Sequence, residues 1–204
     1  MADLAFQYPT NPTFQSVKFQ SITPAQVSET FTGKTRRVGL GVTYYAWEVV
    51  YPNLLPLEAG QVKGYLAQTF GQQYSFEIVL PNISYSSLVD QTTTIPVTDG
   101  ALTAGATSVA LTNCGANKNV LAAGDFFKFN NHTKVYMVTT ACTSNSSGEA
   151  TLYFSSACQS AVPDNTALTI TAVPFTAIVE DPEQEFSVGI GGITNITVKM
   201  REDF

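Results

Sequence analysis

The clearest strand in the sequence is YAWEVVY, residues 45–51. Successive side chains of a β-strand point to opposite faces, so its residues divide between two faces with a period of two. One face carries Tyr45, Trp47, Val49 and Tyr51. Trp47 is the only tryptophan, and because an indole buries a large area we expect it to anchor the core rather than bind a ligand.

The sequence on both sides of this strand predicts more strands and one helix. Residues 14–22 and 37–43 precede it as strands, and residues 74–80 follow as a returning strand. Residues 56–70 predict a helix, because Pro56 suits its first turn and Glu58 suits its positive end. Gly71 is expected to end the helix in a left-handed conformation. The apolar positions predicted to face the core are Val62, Tyr65, Leu66 and Phe70.

From about Asp99 the composition changes toward Ala, Gly, Thr, Asn and Ser. Short strands separated by turns are typical of a small β-barrel or sandwich. About 30 residues after Pro174 are too few for another core, so we expect their strands to pair back onto the N-terminal sheet. The predicted fold is mainly β. An antiparallel β-sandwich-like first domain with one helix comprises residues 1–95 and 174–204, and residues 96–173 form an inserted small OB-like β-barrel.

The composition disfavours several classes of partner. The net charge is -6, and the ten Lys and Arg residues never form a run, which argues against a groove for nucleic acid. The N-terminus lacks a basic region followed by an apolar one, and no window approaches the ~18 apolar residues of a membrane span. We therefore expect no membrane insertion, and a protein made, and kept or assembled, in a cytoplasm.

Candidate catalytic and metal-binding residues are few. Cys114, Cys142 and Cys158 show no Cys-x-x-Cys spacing, so we expect buried free thiols, or one disulfide with a spare thiol, rather than zinc. His132 is the only histidine and lies in a turn composition, where we expect it to be solvated. No nucleophile and base pair is evident, so we expect neither enzyme activity nor a cofactor.

Two charged clusters remain as candidate sites. The first contains Lys34, Arg36 and Arg37 and could be a solvated hairpin tip, a site for an anionic substrate or a contact with a neighbouring subunit. The second contains Glu180, Asp181, Glu183 and Glu185. It could be an exposed loop, a metal site, a pair of hydrolase carboxylates, or the acceptor for the basic cluster.

The first 80 residues resemble tail-tip proteins of tailed bacteriophages, of the distal-tail or baseplate-hub type. The motifs are Ser28-Glu29-Thr30-x-Thr32-Gly33-Lys34-x-Arg36-Arg37, then Trp47, Tyr51-Pro52 and Phe70-Gly71-Gln72. The middle module is similar to a small β-barrel insertion of relatives, through residues 104–107 and 121–126.

The resemblance implies a hexameric ring at the end of the tail tube, within the virion. It also implies that the inserted barrel points outward, toward fibre or baseplate proteins. The alternative is a carbohydrate- or receptor-binding module carried on the barrel, for which Phe127, Tyr136 and Tyr153 are the candidate exposed aromatics. A hydrolase using the carboxylates of residues 180–185 would instead require a cleft with a raised carboxyl pKa.

Overall fold

The computed structural model describes residues 6–39, 41–88 and 94–204. The fold is mainly β, with antiparallel sheets, one helix and a nearly closed barrel-like sheet, which confirms the predicted class. Two parts of the sequence predictions lie outside the described residues. They are Leu40, in the strand predicted over residues 37–43, and the first five residues of the predicted first domain.

The described elements follow in chain order. They are β1 (Phe6–Gln7), β2 (Ser16–Ile22), β3 (Ala25–Glu29), β4 (Thr35–Gly39), β5 (Tyr44–Val50), α1 (Pro56–Gln68), β6 (Phe76–Ile78), β7 (Val97–Thr98), β8 (Ser108–Thr112), β9 (Asn119–Leu121), β10 (Phe126–Phe129), β11 (Val135–Thr140), β12 (Cys142–Thr143), β13 (Ala150–Ser155), β14 (Leu168–Thr169), β15 (Phe175–Val179), β16 (Phe186–Val188), a 3-10 turn (Ile190–Gly192) and β17 (Thr194–Glu202).

The chain divides into two compact units. The first contains Met1–Ser21, Tyr45–Leu80 and Pro174–Phe204, and the second contains Ile22–Tyr44 and Pro81–Val173. The second unit therefore includes two segments, 22–44 and 81–95, that the sequence analysis placed in the first domain. The division into a domain of residues 1–95 with 174–204 and an inserted barrel at 96–173 stays a prediction.

The first unit is built on a sheet in the order β1-β6-β15-β17-β5-β2, with β16 pairing to β17 beside this path. Buried and exposed residues alternate without a break along β17, since its inward face lies on the core. Trp47 is buried as predicted, between the rings of Phe19 and Phe175 at centroid distances of 6.2 and 5.3 Å. The pairing of β1 with β6 is parallel and was not predicted.

The helix α1 begins where the sequence predicts. Pro56 takes the first helical position, and the Glu58 carboxylate accepts a hydrogen bond from the Leu55 backbone N–H at 3.1 Å. Val62 and Leu66 are buried. The prediction that Phe70 faces the core is wrong: the helix ends at Gln68, Phe70 takes a positive φ of 46°, and this turns its ring out to solvent.

The second unit contains the small barrel. Its sheet runs β14-β10-β11-β13-β8-β7, and a bridge between Val97 and Ala167 brings the two ends of the sheet together. A cluster of rings fills the interior at centroid distances of 5.2 to 6.1 Å, from Phe127, Phe129, Tyr136 and Phe154. Such ring pairs bury large apolar area and add a geometric preference, so they hold the barrel closed.

Candidate assembly surfaces

The basic hairpin, residues 25–39, is a two-stranded ribbon of β3 and β4. The Thr30 hydroxyl accepts a hydrogen bond from the Lys34 backbone N–H at 3.1 Å, and the Thr30 backbone N–H donates to the Lys34 carbonyl at 2.9 Å. Gly33 takes a φ of +76°, which is the left-handed position that closes a three-residue hairpin loop. The sequence FTG at residues 31–33 therefore forms the tip of the hairpin.

Both faces of the basic hairpin are exposed. Every residue of β3 and β4 is exposed, including the apolar Val27 and Val38, and Phe31 at the tip is 109% exposed. An isolated two-stranded hairpin is marginally stable in water. The ribbon therefore exposes an apolar side chain on each face as well as Phe31 at its tip.

The strand register divides the predicted basic cluster. Arg36 lies opposite Ser28 and Arg37 lies opposite Val27, and neighbouring residues of a strand point to opposite faces. The two arginines therefore lie on different sides of the ribbon, and Lys34 lies in the turn. The face of Arg36 carries Gln26, Ser28 and Val38 and no carboxylate, whereas the face of Arg37 also carries Glu29.

The acidic loop, residues 180–185, joins β15 to β16 in the first unit. Its carboxylates, Glu180, Asp181, Glu183 and Glu185, are all exposed. Asp181 orders the loop by accepting a hydrogen bond from the Glu183 backbone N–H at 3.0 Å. Within the described residues, none of these four carboxylates and none of Lys34, Arg36 and Arg37 forms an ion pair.

The surroundings of the acidic loop do not resemble a catalytic site. It borders a cleft of about 320 Å³ with the outward face of β17, including Asn195, Thr197 and Lys199. The hydrolase hypothesis needs a desolvated carboxyl group, and these carboxylates are exposed. No group of three or more His, Cys, Asp or Glu side chains in the described ranges could hold a metal ion.

An apolar surface that was not predicted lies at the end of β16 away from the acidic loop. We call it the apolar tip, and its members are Leu55, Leu57, Val188, Ile190 and Ile193. Two hydrogen bonds of 3.0 Å between the backbones of Leu54 and Thr194 join its two segments. Ile190 is 100% exposed. The signal was present in the sequence as VGIGGI, residues 188–193, an apolar run without a charge.

The three aromatic residues that were predicted to be exposed on the barrel differ in their burial. Phe127 and Tyr136 are completely buried, so the prediction that they form an exposed binding surface is wrong: they supply the barrel core. Tyr153 is 51% exposed, because it points outward from β13.

His132 is not the freely solvated side chain that the turn composition predicted. Its Nε2 lies 2.8 Å from the Tyr136 hydroxyl and its Nδ1 lies 2.9 Å from the Asn131 side-chain oxygen. The Tyr136 oxygen accepts the Gln159 backbone N–H at 2.9 Å, and its own proton has two acceptors, His132 Nε2 and the Cys158 Sγ at 3.9 Å. Burial lowers the pKa of His132, and Lys128 and Lys134 lower it further, which favours the neutral ring that this arrangement needs.

The three cysteines are free thiols and are buried, as predicted. Burial raises the pKa of Cys114 to about 11, and burial together with the nearby Cys114 raises that of Cys142 to about 11. A thiol with a raised pKa is a poor nucleophile at neutral pH, so these side chains act as core residues.

Among the described helical residues, none forms a helix with the length and apolar character needed to span a membrane.

Comparison with known proteins points to one virion component. Residues 89–155, which contain β7 to β13 of the barrel, match the family model "Distal tail protein pb9, B domain". The chain is also 28% identical over 149 residues to the distal tail protein pb9 of Escherichia phage T5, a match that covers 71% of this chain and 72% of that protein. The two matches confirm that this chain resembles phage tail-tip proteins of the distal-tail type, and they support a structural role in a phage tail.

Proposed function

We propose that the chain forms a ring at the end of the tail tube and connects the tube to baseplate or fibre proteins. The observation that carries this proposal is the basic hairpin, whose two faces and apolar Phe31 tip are exposed in a single copy. Burying such a ribbon against a second copy removes apolar surface from water, which is the dominant favourable term in association. The resemblance implies six copies in the ring.

Charge supports contact between different surfaces of neighbouring copies. The chain carries 16 acidic and ten basic residues, yet Lys34, Arg36 and Arg37 all lie within one short stretch of the hairpin, on its two faces and its turn. The acidic loop offers Glu180, Asp181, Glu183 and Glu185 as the complementary surface. Contacts of this head-to-tail kind close into rings when the rotation between copies permits, and opposite charges orient the encounter.

The remaining parts of the chain fit a structural role. We assign ring formation to residues 1–95 with 174–204, and contact with fibre or baseplate proteins to the barrel at 96–173. The relative from phage T5 bears the name of a tail protein rather than of an enzyme, which supports a non-enzymatic role in the virion tail tip. Assembly would take place in the host cytoplasm.

Electron microscopy of the purified protein and of the virion tests this function. The expected result is a particle with sixfold symmetry, and antibody against the chain bound at the tip of the tail. A protein that stays monomeric at micromolar concentration, in virions that are not labelled at the tip, would contradict the proposal.

A receptor- or carbohydrate-binding role of the barrel is the second candidate, and the observation in its favour is the exposed ring of Tyr153. Exposed tyrosines supply area for stacking on a sugar face. Binding of the chain to host-surface glycans, lost in Tyr153→Ala but kept in Thr151→Ala on the same face, would support this role. No binding by the native chain would remove it.

A further inference from the structure

The strand β16 lies between two surfaces of opposite chemistry. It consists of Phe186–Val188 and, in the described part of the chain, its only strand partner is β17, so its other side is an edge. Ser187 and Val188 are exposed, and no proline or charged residue protects the strand. The acidic loop leads into β16 at one end, and the apolar tip follows it at the other.

The basic hairpin also carries an apolar group at one end and a charged group further along, with the charge opposite to that of the acidic loop. Phe31 stands at its tip, and Arg36 follows near the start of β4. From the tip to Arg36 and Arg37 the ribbon rises by about 10–13 Å, at ~3.3 Å per residue. From Ile190 back to Glu185 the same rise places the apolar tip and the last carboxylate at most ~17 Å apart. Both surfaces therefore pair an apolar group with a charge no more than ~17 Å away, and the charges are opposite.

We propose that the basic hairpin of one copy docks along β16 of the next copy, with Phe31 on the apolar tip and Arg36 against the acidic loop. The docking rests on the proposed function, because it requires that the chain assembles with itself. The face of Arg36 docks, because it combines Val38 with a positive charge and has no carboxylate. The face of Arg37 carries Glu29, which would meet the acidic loop as a like charge.

This arrangement gives each copy one donor surface and one acceptor surface that differ from each other. A hairpin that pairs with another hairpin would instead produce a symmetric dimer and stop. The two arrangements can be separated with variants that disable one surface at a time. Phe31→Ser disables the donor and leaves the acceptor, and Ile190→Ser does the reverse.

Native mass spectrometry of the full-length chain and its variants is the test. We expect the native chain to form a closed oligomer and each variant alone to be a monomer. An equimolar mixture of Phe31→Ser and Ile190→Ser should form a dimer and nothing larger, because only one working contact can form. Far-ultraviolet circular dichroism checks that each variant is folded.

Charge variants test the docked face. Arg36→Glu should weaken self-association at least tenfold and Arg37→Glu by no more than about twofold. Glu185→Arg should restore assembly in the Arg36→Glu background. Arg36 and Arg37 variants of equal effect would overturn the choice of face.

Two results distinguish failure of this inference from failure of the ring proposal. A native ring that persists in both Phe31→Ser and Ile190→Ser, or a mixture of these variants that stays monomeric, would overturn the docking and leave the ring proposal standing. A native chain that is monomeric would overturn both.

Discussion

The barrel and the basic hairpin are both antiparallel β structure, but their side chains have opposite environments. In the barrel the rings of Phe127, Phe129, Tyr136 and Phe154 are buried against one another, whereas every residue of β3 and β4 is exposed. A barrel strand is stabilised by side chains that pack against other residues of the same chain. A ribbon with two exposed faces lacks this internal packing, and this difference is the reason for proposing the basic hairpin as the assembly surface.

Replacing an aromatic ring in each region should give the largest difference in the free energy of unfolding. Phe127→Ala removes a completely buried ring, so we expect it to lower the free energy of unfolding by about 3–5 kcal/mol. Phe31→Ala removes a fully exposed ring and should change the same free energy by no more than ~0.5 kcal/mol. Urea denaturation followed by circular dichroism, on monomeric protein at low concentration, measures both. Equal losses in the two variants would contradict the contrast.

Removing a carboxylate from each region gives the next largest effect. Asp125 is buried in the barrel turn and accepts hydrogen bonds from the Ser86 hydroxyl at 2.6 Å and from the backbone N–H of Ser87 and Ala122, each at 2.9 Å. Asp125→Ala leaves these donors unpaired, so we expect a loss of about 3 kcal/mol in denaturation experiments.

The matched control for Asp125→Ala is Asp181→Ala in the exposed acidic loop, which should lower the free energy of unfolding by no more than ~0.5 kcal/mol.

Burial alone would raise the pKa of Asp125, but its hydrogen bonds lower the pKa below 3.8. This contribution to stability is therefore present above pH 3.8 and is lost as the pH falls through the lower, folded-state pKa. A stability of Asp125→Ala equal to that of the native chain would refute the assigned role.

Glycine substitutions compare the two regions at positions where the backbone has a positive φ. Gly33 in the hairpin and Gly124 in the barrel turn have φ values of +76° and +92°, and neither has a neighbouring atom within 4 Å of an added Cβ. Alanine at either position costs roughly 1–2 kcal/mol of backbone strain. In Gly124→Ala this should lower the melting temperature, and in Gly33→Ala it should weaken the oligomer while the melting temperature of the monomer stays within error. The reverse pattern would show that the hairpin is part of the folding core.

The smallest expected effect is the dependence of the barrel's stability on pH. The pKa of His132 is lowered below 6.5 in the folded chain, so the unfolded chain binds the proton more readily and stability should fall as the pH decreases from 6.5. Protonation would also place a proton on Nε2, which accepts the Tyr136 hydroxyl hydrogen in the neutral form. His132→Gln should flatten this part of the profile of melting temperature against pH. An unchanged slope would show that another group titrates there.

Sequence periodicity predicted the elements that bury one face. The alternating faces of residues 45–51 and the four-residue spacing of Val62 and Leu66 match β5 and α1, because the periodicity of a strand or helix is a local property of the sequence. The parallel pairing of β1 with β6 could not be predicted, since it joins segments about 70 residues apart with no local signal.

The candidate site was predicted only in part. The sequence indicated the basic hairpin and the acidic loop, but it treated Arg36 and Arg37 as one surface. Strand alternation separates them once the register of β3 and β4 is known. The apolar tip was missed because its two segments, around Leu57 and Ile190, are far apart in the sequence and are brought together by the pairing of Leu54 with Thr194.

Hydrogen exchange in assembled and monomeric protein tests most directly whether a neighbouring copy covers the basic hairpin. The comparison uses the native oligomer and the Ile190→Ser variant, in which the hairpin is unchanged and the acceptor is disabled. We predict that amides of residues 25–39 exchange much more slowly in the oligomer than in the variant, while those of residues 126–138 in the barrel are equally protected in both. Equal exchange of the hairpin in an oligomer and in a monomer would contradict the account.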